Sequence, residues 1–209
     1  FMSVPGFLIA DVHKLTALDF PGVVSAIVFT QGCNFHCPYC HNPQLIPEQG
    51  KQRPLDVEEV LSFLRKRAGL LDGVVISGGE PSIRTGLPHF CREVKRLGYA
   101  VKLDTNGSRP EVLERLLADS LVDYVAMDGK TGADNYGRLC REEDISRRIL
   151  QSAEILRRSG MAHGFRTTCI GPFVSEAAVT DMVVRMVVDS AWYFQRGTLS
   201  PGMNRGGME

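Results

Sequence analysis

Three cysteines close together are the strongest chemical signal in the chain. Cys33, Cys37 and Cys40 have the spacing C-x3-C-x2-C. Cysteine thiolates are the usual ligands of iron-sulfur clusters, and a cluster with four irons needs four ligands. Three cysteines would leave one iron without a protein ligand, and an open metal position is where a substrate or cofactor can bind.

A zinc site is the alternative interpretation of this segment. His36 or His41 would then supply the fourth ligand. Zinc sites of this kind usually divide their ligands into two pairs, separated by roughly a dozen residues. Here all three cysteines lie in one short segment, which favours the cluster. Cys91 lies on an apolar helical face and is predicted to be core, whereas Cys140 and Cys169 are isolated and receive no role.

A second set of polar groups follows an apolar run at residues 74–77. The residues that come directly after this run are Gly78, Gly79, Glu80 and Pro81. Two glycines let a backbone approach a ligand closely, and a carboxylate beside them suits an ammonium group. A Gly-Gly pair alone is also a common turn, so this segment gains meaning only from its neighbours.

Alternation along the next apolar runs places charged side chains on one face. Lys102 and Asp104 share a face, which is opposite to Val101 and Leu103. The same parity groups Asp128 with Lys130, if the extended geometry continues through Gly129, and a lysine there can pair with a ligand carboxylate. Arg166 occupies the next run, where it is predicted either to hold a carboxylate or ribose oxygen or to form a salt bridge at the rim.

Six short apolar runs alternate with segments of helical period, which predicts an α/β fold. The predicted strands are residues 23–30, 74–77, 101–104, 124–127, 165–170 and 192–195. Strand and helix repeats with short connections imply parallel strands and right-handed crossovers. Periodicity leaves both a doubly wound sheet and an incomplete β/α barrel open. In either fold, functional groups gather at the carboxyl ends of the strands.

Loops and tails complete this organisation. Residues 31–55 and 128–144 are too long to be simple connectors, and long loops at this end of a sheet usually carry function. Residues 1–196 are predicted to form one domain. Residues 197–209 are rich in Gly and Met without helical or strand period, which predicts a disordered tail.

Charge and length exclude some classes of function. Lys and Arg total 24, as do Asp and Glu, so no overall charge attracts nucleic acid or an anionic membrane. The apolar stretch at residues 2–10 is about half the length of a membrane span. These features predict a cytoplasmic protein. A reducing cytosol disfavours disulfides and shifts clustered cysteines toward metal or redox chemistry.

With these motifs in place, the sequence resembles the radical S-adenosylmethionine superfamily. Cys33, Cys37 and Cys40 match its cluster motif one for one, Tyr39 stands at the usual aromatic position, and residues 78–81 match its GGEP motif. The resemblance implies a [4Fe-4S] cluster whose open iron binds the methionyl group of S-adenosylmethionine, with GGEP against the methionyl amine. It also implies a partial (β/α)6 barrel with the helices outside.

Two further segments resemble those of glycyl-radical-enzyme activases. Asp104, Thr105 and Asn106 begin a DTNG segment, and Asp128 and Lys130 lie in a segment similar to MD(I/L)K. The resemblance implies that both line the cofactor pocket and supply oxygens to a monovalent cation. Gly129 departs from the aliphatic residue that is usual there, which we expect to loosen the placement of Lys130.

The finest resemblance is to activating proteins of anaerobic ribonucleoside-triphosphate reductase. It covers residues from about 15 to 195 and is strongest in residues 18–22 and around the cysteines. It implies that reduced flavodoxin or ferredoxin donates one electron, that a 5′-deoxyadenosyl radical forms, and that a glycine of the partner loses a hydrogen atom. An activase of pyruvate formate-lyase or a 7-carboxy-7-deazaguanine synthase remains an alternative. A zinc or electron-transfer module is the alternative from another class.

Overall fold

A single sheet of seven strands organises the residues that the structure describes. This computed structural model describes residues 5–48, 53–171, 174–186 and 190–197. The strands lie side by side in chain order: β1 Ile9–Thr16, β2 Ser25–Thr30, β3 Gly73–Gly78, β4 Ala100–Thr105, β5 Tyr124–Asp128, β6 His163–Cys169 and β7 Trp192–Arg196. The predicted partial barrel with external helices is confirmed.

The first strand was not predicted. Strand β1 pairs antiparallel with β2, in a register that places Val12 opposite Val28, whereas each later strand is parallel to its neighbour. It is an edge strand with Ile9 buried and Asp11, His13 and Lys14 among its polar positions. Because those charged residues break the apolar run, the sequence lacked the continuous pattern of a buried strand. Within the described sheet, β1 and β7 are the two edges and are not paired with each other.

Five helices cover the outer face of the sheet within the described residues. They are α1 Val57–Lys66, α2 Leu87–Arg96, α3 Pro110–Ala118, α4 Ile145–Ser159 and α5 Glu176–Met186. The side chain of Asp56 accepts a hydrogen bond from the backbone of Glu58 and so caps α1. Asp144 precedes α4, and the hydroxyl of Ser146 in its first turn donates to the carbonyl of Ala133.

The two faces of the sheet have opposite character. Val101 and Leu103 are buried in the hydrophobic core between the strands and the helices. Lys102, on the other face of the same strand, is only 3% exposed although it is charged. The inner face of the barrel therefore holds a buried polar interior, as the alternation predicted. In the part of the chain that the structure describes, no helix has the length and apolar character needed to cross a membrane.

The predicted tail begins at the limit of the described structure. Gly197 donates its backbone N–H to the carbonyl of Cys169 at 2.9 Å, next to the end of β6. Residues 198–209 lie outside the described residues. The predicted disorder of the tail therefore stays a prediction.

Candidate active site

One cavity of about 230 Å³ lies at the carboxyl ends of the strands. It is lined by the three clustered cysteines and by ten further residues singled out from the sequence: Tyr39, Gly78, Gly79, Glu80, Asp104, Thr105, Asn106, Asp128, Lys130 and Arg166. Pro81 is the exception, since it is buried as the first residue of a short 3-10 turn. The topology thus gathers side chains from five strand ends around one space.

Several lining residues were not predicted as site residues. They are Phe35, Asn42, Ile46, Ser77, Thr168 and Gln195, together with His41, which the sequence offered only as a possible zinc ligand. Ser77 and Thr168 were within reach of the sequence, because they share strand parity with predicted neighbours. Ile46 and Gln195 carry no chemical signal in the sequence and reach the cavity only through the path of the chain.

The cysteine loop, which carries Cys33, Cys37 and Cys40, is held by backbone hydrogen bonds to the segment that follows it. Gly32 and Cys33 donate to the carbonyls of Leu45 and Ile46 at 2.8 and 3.0 Å. The side-chain amide of Gln31 donates to the carbonyl of Pro47 at 2.6 Å. The loop therefore folds back on itself, and the cysteines lie on a closed turn directly after β2.

The two glycines of the GGEP segment make room for this loop. A Cβ on Gly79 would lie 2.0 Å from the carbonyl oxygen of Gly32. A Cβ on Gly78, whose φ is +111°, would lie 2.3 Å from the backbone nitrogen of Thr30. The sequence suggested that these glycines admit a ligand. The structure adds another cause, since both positions are in close contact with the chain that enters the cysteine loop.

The three thiols fit an iron-sulfur cluster in ligand type and placement. Cys33, Cys37 and Cys40 are partly buried, are not joined in a disulfide and line the same cavity. Burial raises the pKa of Cys33 to about 12, and Glu80 adds to the rise. Within the described residues, no three Cys, His, Asp or Glu side chains are gathered closely enough to hold a single metal ion. A four-iron cluster takes its ligands at separate corners.

Glu80 connects the ends of two strands. Its side chain is 1% exposed and accepts hydrogen bonds from Thr105 Oγ1 at 2.7 Å and from the backbone of Asn106 at 2.7 Å and Ser82 at 3.0 Å. Burial raises the pKa of Glu80, although these hydrogen bonds act in the opposite direction. From the sequence, this carboxylate was predicted to contact an ammonium group of a ligand. The structure shows it positioning the GGEP segment against the DTNG segment.

Five charged side chains form an ion network on the inner face of the barrel. Arg166 donates from Nε to Asp128 at 2.9 Å and from Nη1 to Asp104 at 3.2 Å. Lys130 Nζ donates to the second oxygen of Asp128 at 2.8 Å, and Lys102 pairs with Asp104. Asp104, Asp128, Lys130 and Arg166 of this network line the cavity together with Glu80. Lys130 and Arg166 are therefore the lining groups that can pair with a ligand carboxylate.

Lys130 is placed more firmly than the sequence suggested. Its backbone N–H donates to the hydroxyl of Tyr136 at 3.0 Å, and the hydroxyl of Tyr39 donates to its carbonyl at 2.7 Å. A Cβ on Gly129 would lie 3.0 Å from Met182 Sδ, so that side chain occupies the space of the missing aliphatic group. Two tyrosines and this packing therefore replace the restraint that Gly129 lacks.

Asp128→Asn is expected to lower the free energy of unfolding at pH 7 by about 2 kcal/mol, since Arg166 and Lys130 lose a partly buried counter-charge. Burial acts to raise the pKa of Asp128, but these two cations outweigh it and hold the pKa below its usual range. A carboxyl group with a lowered pKa in the folded state stabilises the fold at pH values above its unfolded pKa of about 3.9. This stabilisation is lost as the pH falls below that value and the group becomes protonated. The difference between wild type and variant should therefore shrink below about pH 4.

Urea unfolding of both proteins at pH 7 and in stepwise lower pH measures this difference. Asp134→Asn is the matched control, because Asp134 is exposed in the segment that follows Lys130. Its free energy of unfolding should stay within about 0.5 kcal/mol of the wild type. A difference for Asp128→Asn that is unchanged or larger at low pH would contradict the ion network.

Comparison with known proteins identifies the family. Residues 27–185, well over half of the chain, match the family model of the Radical SAM superfamily. The chain belongs to the radical SAM superfamily. Membership implies an enzyme that uses S-adenosylmethionine and a [4Fe-4S] cluster. The three thiols, and the side chains of Lys130 and Arg166 in the cavity wall, are the described features that fit these two groups.

Curated relatives in the radical SAM superfamily differ in how much they share with this chain. A protein of Methanocaldococcus jannaschii, provisionally named a glycyl-radical enzyme activating enzyme, is 36% identical over 89% of this chain and 78% of its own length. A pyruvate formate-lyase-activating enzyme of Staphylococcus aureus is 35% identical over 46% of this chain and 40% of its own. A 7-carboxy-7-deazaguanine synthase of Aquifex aeolicus is 33% identical over 42% of this chain and 38% of its own length.

Solved structures support the radical SAM fold. SuiB of Streptococcus suis bound to S-adenosylmethionine matches with a TM-score of 0.64 at 14% identity, over 83% of this chain and 40% of that one. An archaeal TYW1 matches with a TM-score of 0.54 at 17% identity, over 78% of this chain and 61% of that one. This chain spans less than two thirds of either protein. At such low identities the likeness shows the fold alone.

Proposed function

We propose that this radical SAM enzyme activates a glycyl radical enzyme by removing a hydrogen atom from a glycine of its partner. The observation that carries this proposal is the 36% identity to the Methanocaldococcus jannaschii activating-enzyme relative over 78% of that protein. The partial match to the pyruvate formate-lyase-activating enzyme of Staphylococcus aureus points to the same class of substrate.

Anaerobic ribonucleoside-triphosphate reductase is our specific choice of partner. Residues 18–22 and the cysteine loop carry the resemblance to its activating proteins. The two edge strands β1 and β7 are not paired within the described sheet, and Gln195 of β7 lines the cavity. An opening on this side suits a peptide loop of a partner. Pyruvate formate-lyase is the second candidate, because of the Staphylococcus aureus relative.

The chain's own residues supply placement for this chemistry. Cys33, Cys37 and Cys40 would hold the cluster, and Arg166 and Lys130 would orient an anionic group of S-adenosylmethionine. When bound, these groups supply reductive cleavage of a carbon–sulfur bond, with one electron from reduced flavodoxin or ferredoxin. Phe35, 2% exposed, contributes an apolar wall that limits access of water.

The monovalent cation that the resemblance implies stays a prediction, because it would have to compete with side chains that already pair with both carboxylates. Both oxygens of Asp128 already accept from cationic side chains, Arg166 and Lys130. Asp104 likewise pairs with Arg166 and Lys102. An added cation would face three positive groups that already neutralise the two carboxylates. We therefore assign no step to a monovalent cation.

An anaerobic activation assay tests the proposed function. The protein is reconstituted with iron and sulfide, reduced, and incubated with S-adenosylmethionine and purified anaerobic ribonucleoside-triphosphate reductase. We expect 5′-deoxyadenosine together with a glycyl doublet in the electron paramagnetic resonance spectrum of the reductase. Pyruvate formate-lyase in a parallel reaction is the comparison.

The outcomes of this assay separate the alternatives. A doublet only on pyruvate formate-lyase would keep the activase and change its partner. Cofactor cleavage without a doublet on either protein would contradict the activase and favour a small-molecule substrate. A colourless protein that binds one zinc ion would refute the cluster itself.

A further inference from the structure

Asn34 uses its whole side-chain amide to anchor the cysteine loop. It lies between Cys33 and Cys37 and is partly buried. Its Nδ2 donates to Ser108 Oγ at 3.0 Å and to Glu142 Oε1 at 3.1 Å. Its Oδ1 accepts from Asn106 Nδ2 at 3.0 Å. Two donors and one acceptor are therefore all engaged, which fixes the orientation of this side chain.

Glu142 is itself fixed from the other side. Arg109 donates to both carboxylate oxygens, at 2.5 and 2.8 Å, in a bidentate pair. Arg148 Nη1 adds a contact at 3.3 Å. The side chains of Arg109 and Glu142 are 21% and 31% exposed, so the pair is partly shielded from water. A bidentate guanidinium–carboxylate pair has a defined geometry, and Glu142 therefore offers Asn34 an acceptor at a fixed place.

The segment after β5 also supports the cysteine loop by other contacts. The backbone of His36 donates to the carbonyl of Leu139 at 2.8 Å, and the rings of Phe35 and Tyr136 lie 6.1 Å apart between centroids. The sequence predicted function for this long loop without saying which. The described contacts make it the outer support of the segment that carries the three thiols.

We propose that Asn34 and Glu142 are positioning residues that hold the cysteine loop in the conformation that binds the cluster. This inference rests on the cluster of the proposed function. An irregular loop must lose conformational entropy to present three thiols together, and contacts formed beforehand reduce that cost at binding. Residues that support metal ligands from the second layer typically change metal affinity when they are mutated.

Glu111 provides a control variant, because it contacts Arg148, which in turn contacts Glu142. Glu111 accepts from Arg148 Nη2 at 3.1 Å and is 57% exposed. Its ion-pair partner within the described residues is Arg148, which is not part of the cysteine loop. Glu111→Ala removes an acidic side chain from the same network while the bonds from Asn34 to Ser108 and Glu142 remain.

Loss of iron to a chelator from the reconstituted full chain measures the effect. The visible absorption of the cluster is followed over time under anaerobic conditions. We expect Asn34→Ala and Glu142→Ala each to lose iron about 10-fold faster than wild type. Glu111→Ala should stay within about twofold. Glu142→Gln, which keeps an amide oxygen for Asn34, should fall between wild type and Glu142→Ala.

The double variant with alanine at both Asn34 and Glu142 shows whether the two residues act together or independently on iron loss. If Asn34 acts through Glu142, the variant with both alanines loses iron no faster than the worse single variant. Thermal unfolding of the iron-free proteins is measured alongside. Iron loss at the wild-type rate in both single variants would overturn the proposal. So would fully additive effects, or equal effects in Glu111→Ala.

These results stay separate from those of the activation assay. A wild-type protein that holds its cluster but forms no glycyl radical contradicts the proposed partner and leaves the positioning role intact. Unchanged iron loss in Asn34→Ala, with glycyl radical formation by the wild type, contradicts the positioning role alone.

Discussion

Alanine in place of Cys33, Cys37 or Cys40 should abolish the reductive cleavage of S-adenosylmethionine. Each thiol is expected to ligate one iron of the cluster, and a cubane with only two protein ligands would be lost or bound in a different form. Iron content after anaerobic reconstitution and 5′-deoxyadenosine production measure the change. We expect neither a full complement of iron nor detectable product in any of the three variants.

Cys91→Ala is the matched control for these variants. Cys91 is 0% exposed and lies in the core on helix α2, away from the cavity-lining residues. Its replacement should lower the free energy of unfolding by about 1 kcal/mol through lost packing, and should leave iron content unchanged. Equal loss of iron in Cys91→Ala, or full product in any clustered-cysteine variant, would contradict the assignment of the ligands.

Gly79→Ala should be a strongly damaging single-methyl change next to the cavity. Its Cβ would lie 2.0 Å from the carbonyl oxygen of Gly32 and 2.6 Å from the carbonyl carbon. Both are backbone atoms, so the cysteine loop or β3 must move. Overpacking of this kind costs about 3 kcal/mol or more in the free energy of unfolding. Urea unfolding and iron content measure both consequences.

Gly137→Ala provides the comparison. A Cβ at Gly137 would meet no other atom within 4 Å, and its backbone does not lie in the left-handed region. The free energy of unfolding should change by no more than about 0.5 kcal/mol, with iron content as in wild type. If Gly79→Ala were as stable as Gly137→Ala and bound iron normally, the close approach of β3 to the cysteine loop would be wrong.

The parallel strands were predictable because both of their faces are buried. Val74, Val75 and Ile76 are each 0% exposed, and such continuous apolar runs are visible in sequence. Strand β1 was not visible, since an edge strand with Asp11 and Lys14 lacks that run. Its pairing with β2 is a tertiary outcome that local pattern does not encode.

The site was predictable where residue type determines chemistry. Cysteine spacing and strand parity singled out the thiols, Asp104 and Asp128, and these residues line one cavity in the described structure. The parity argument did not reveal that Arg166 bridges the two carboxylates, because side-chain contacts between strands depend on the register. Nor did any motif point to Glu142, which is distant in sequence from Asn34 and meets it only in the fold.

The two unpaired edges of the sheet bear on access to the cavity, whereas the groups expected to carry the chemistry lie at the strand ends that line it. In the described structure, β1 and β7 are not hydrogen-bonded neighbours, so no ring of strands sets the width of the entrance. A longer turn at either edge would narrow that entrance without moving a cysteine or the ion network. Changes confined to the rim can therefore alter which substrate is admitted while the residues of the chemical centre stay the same.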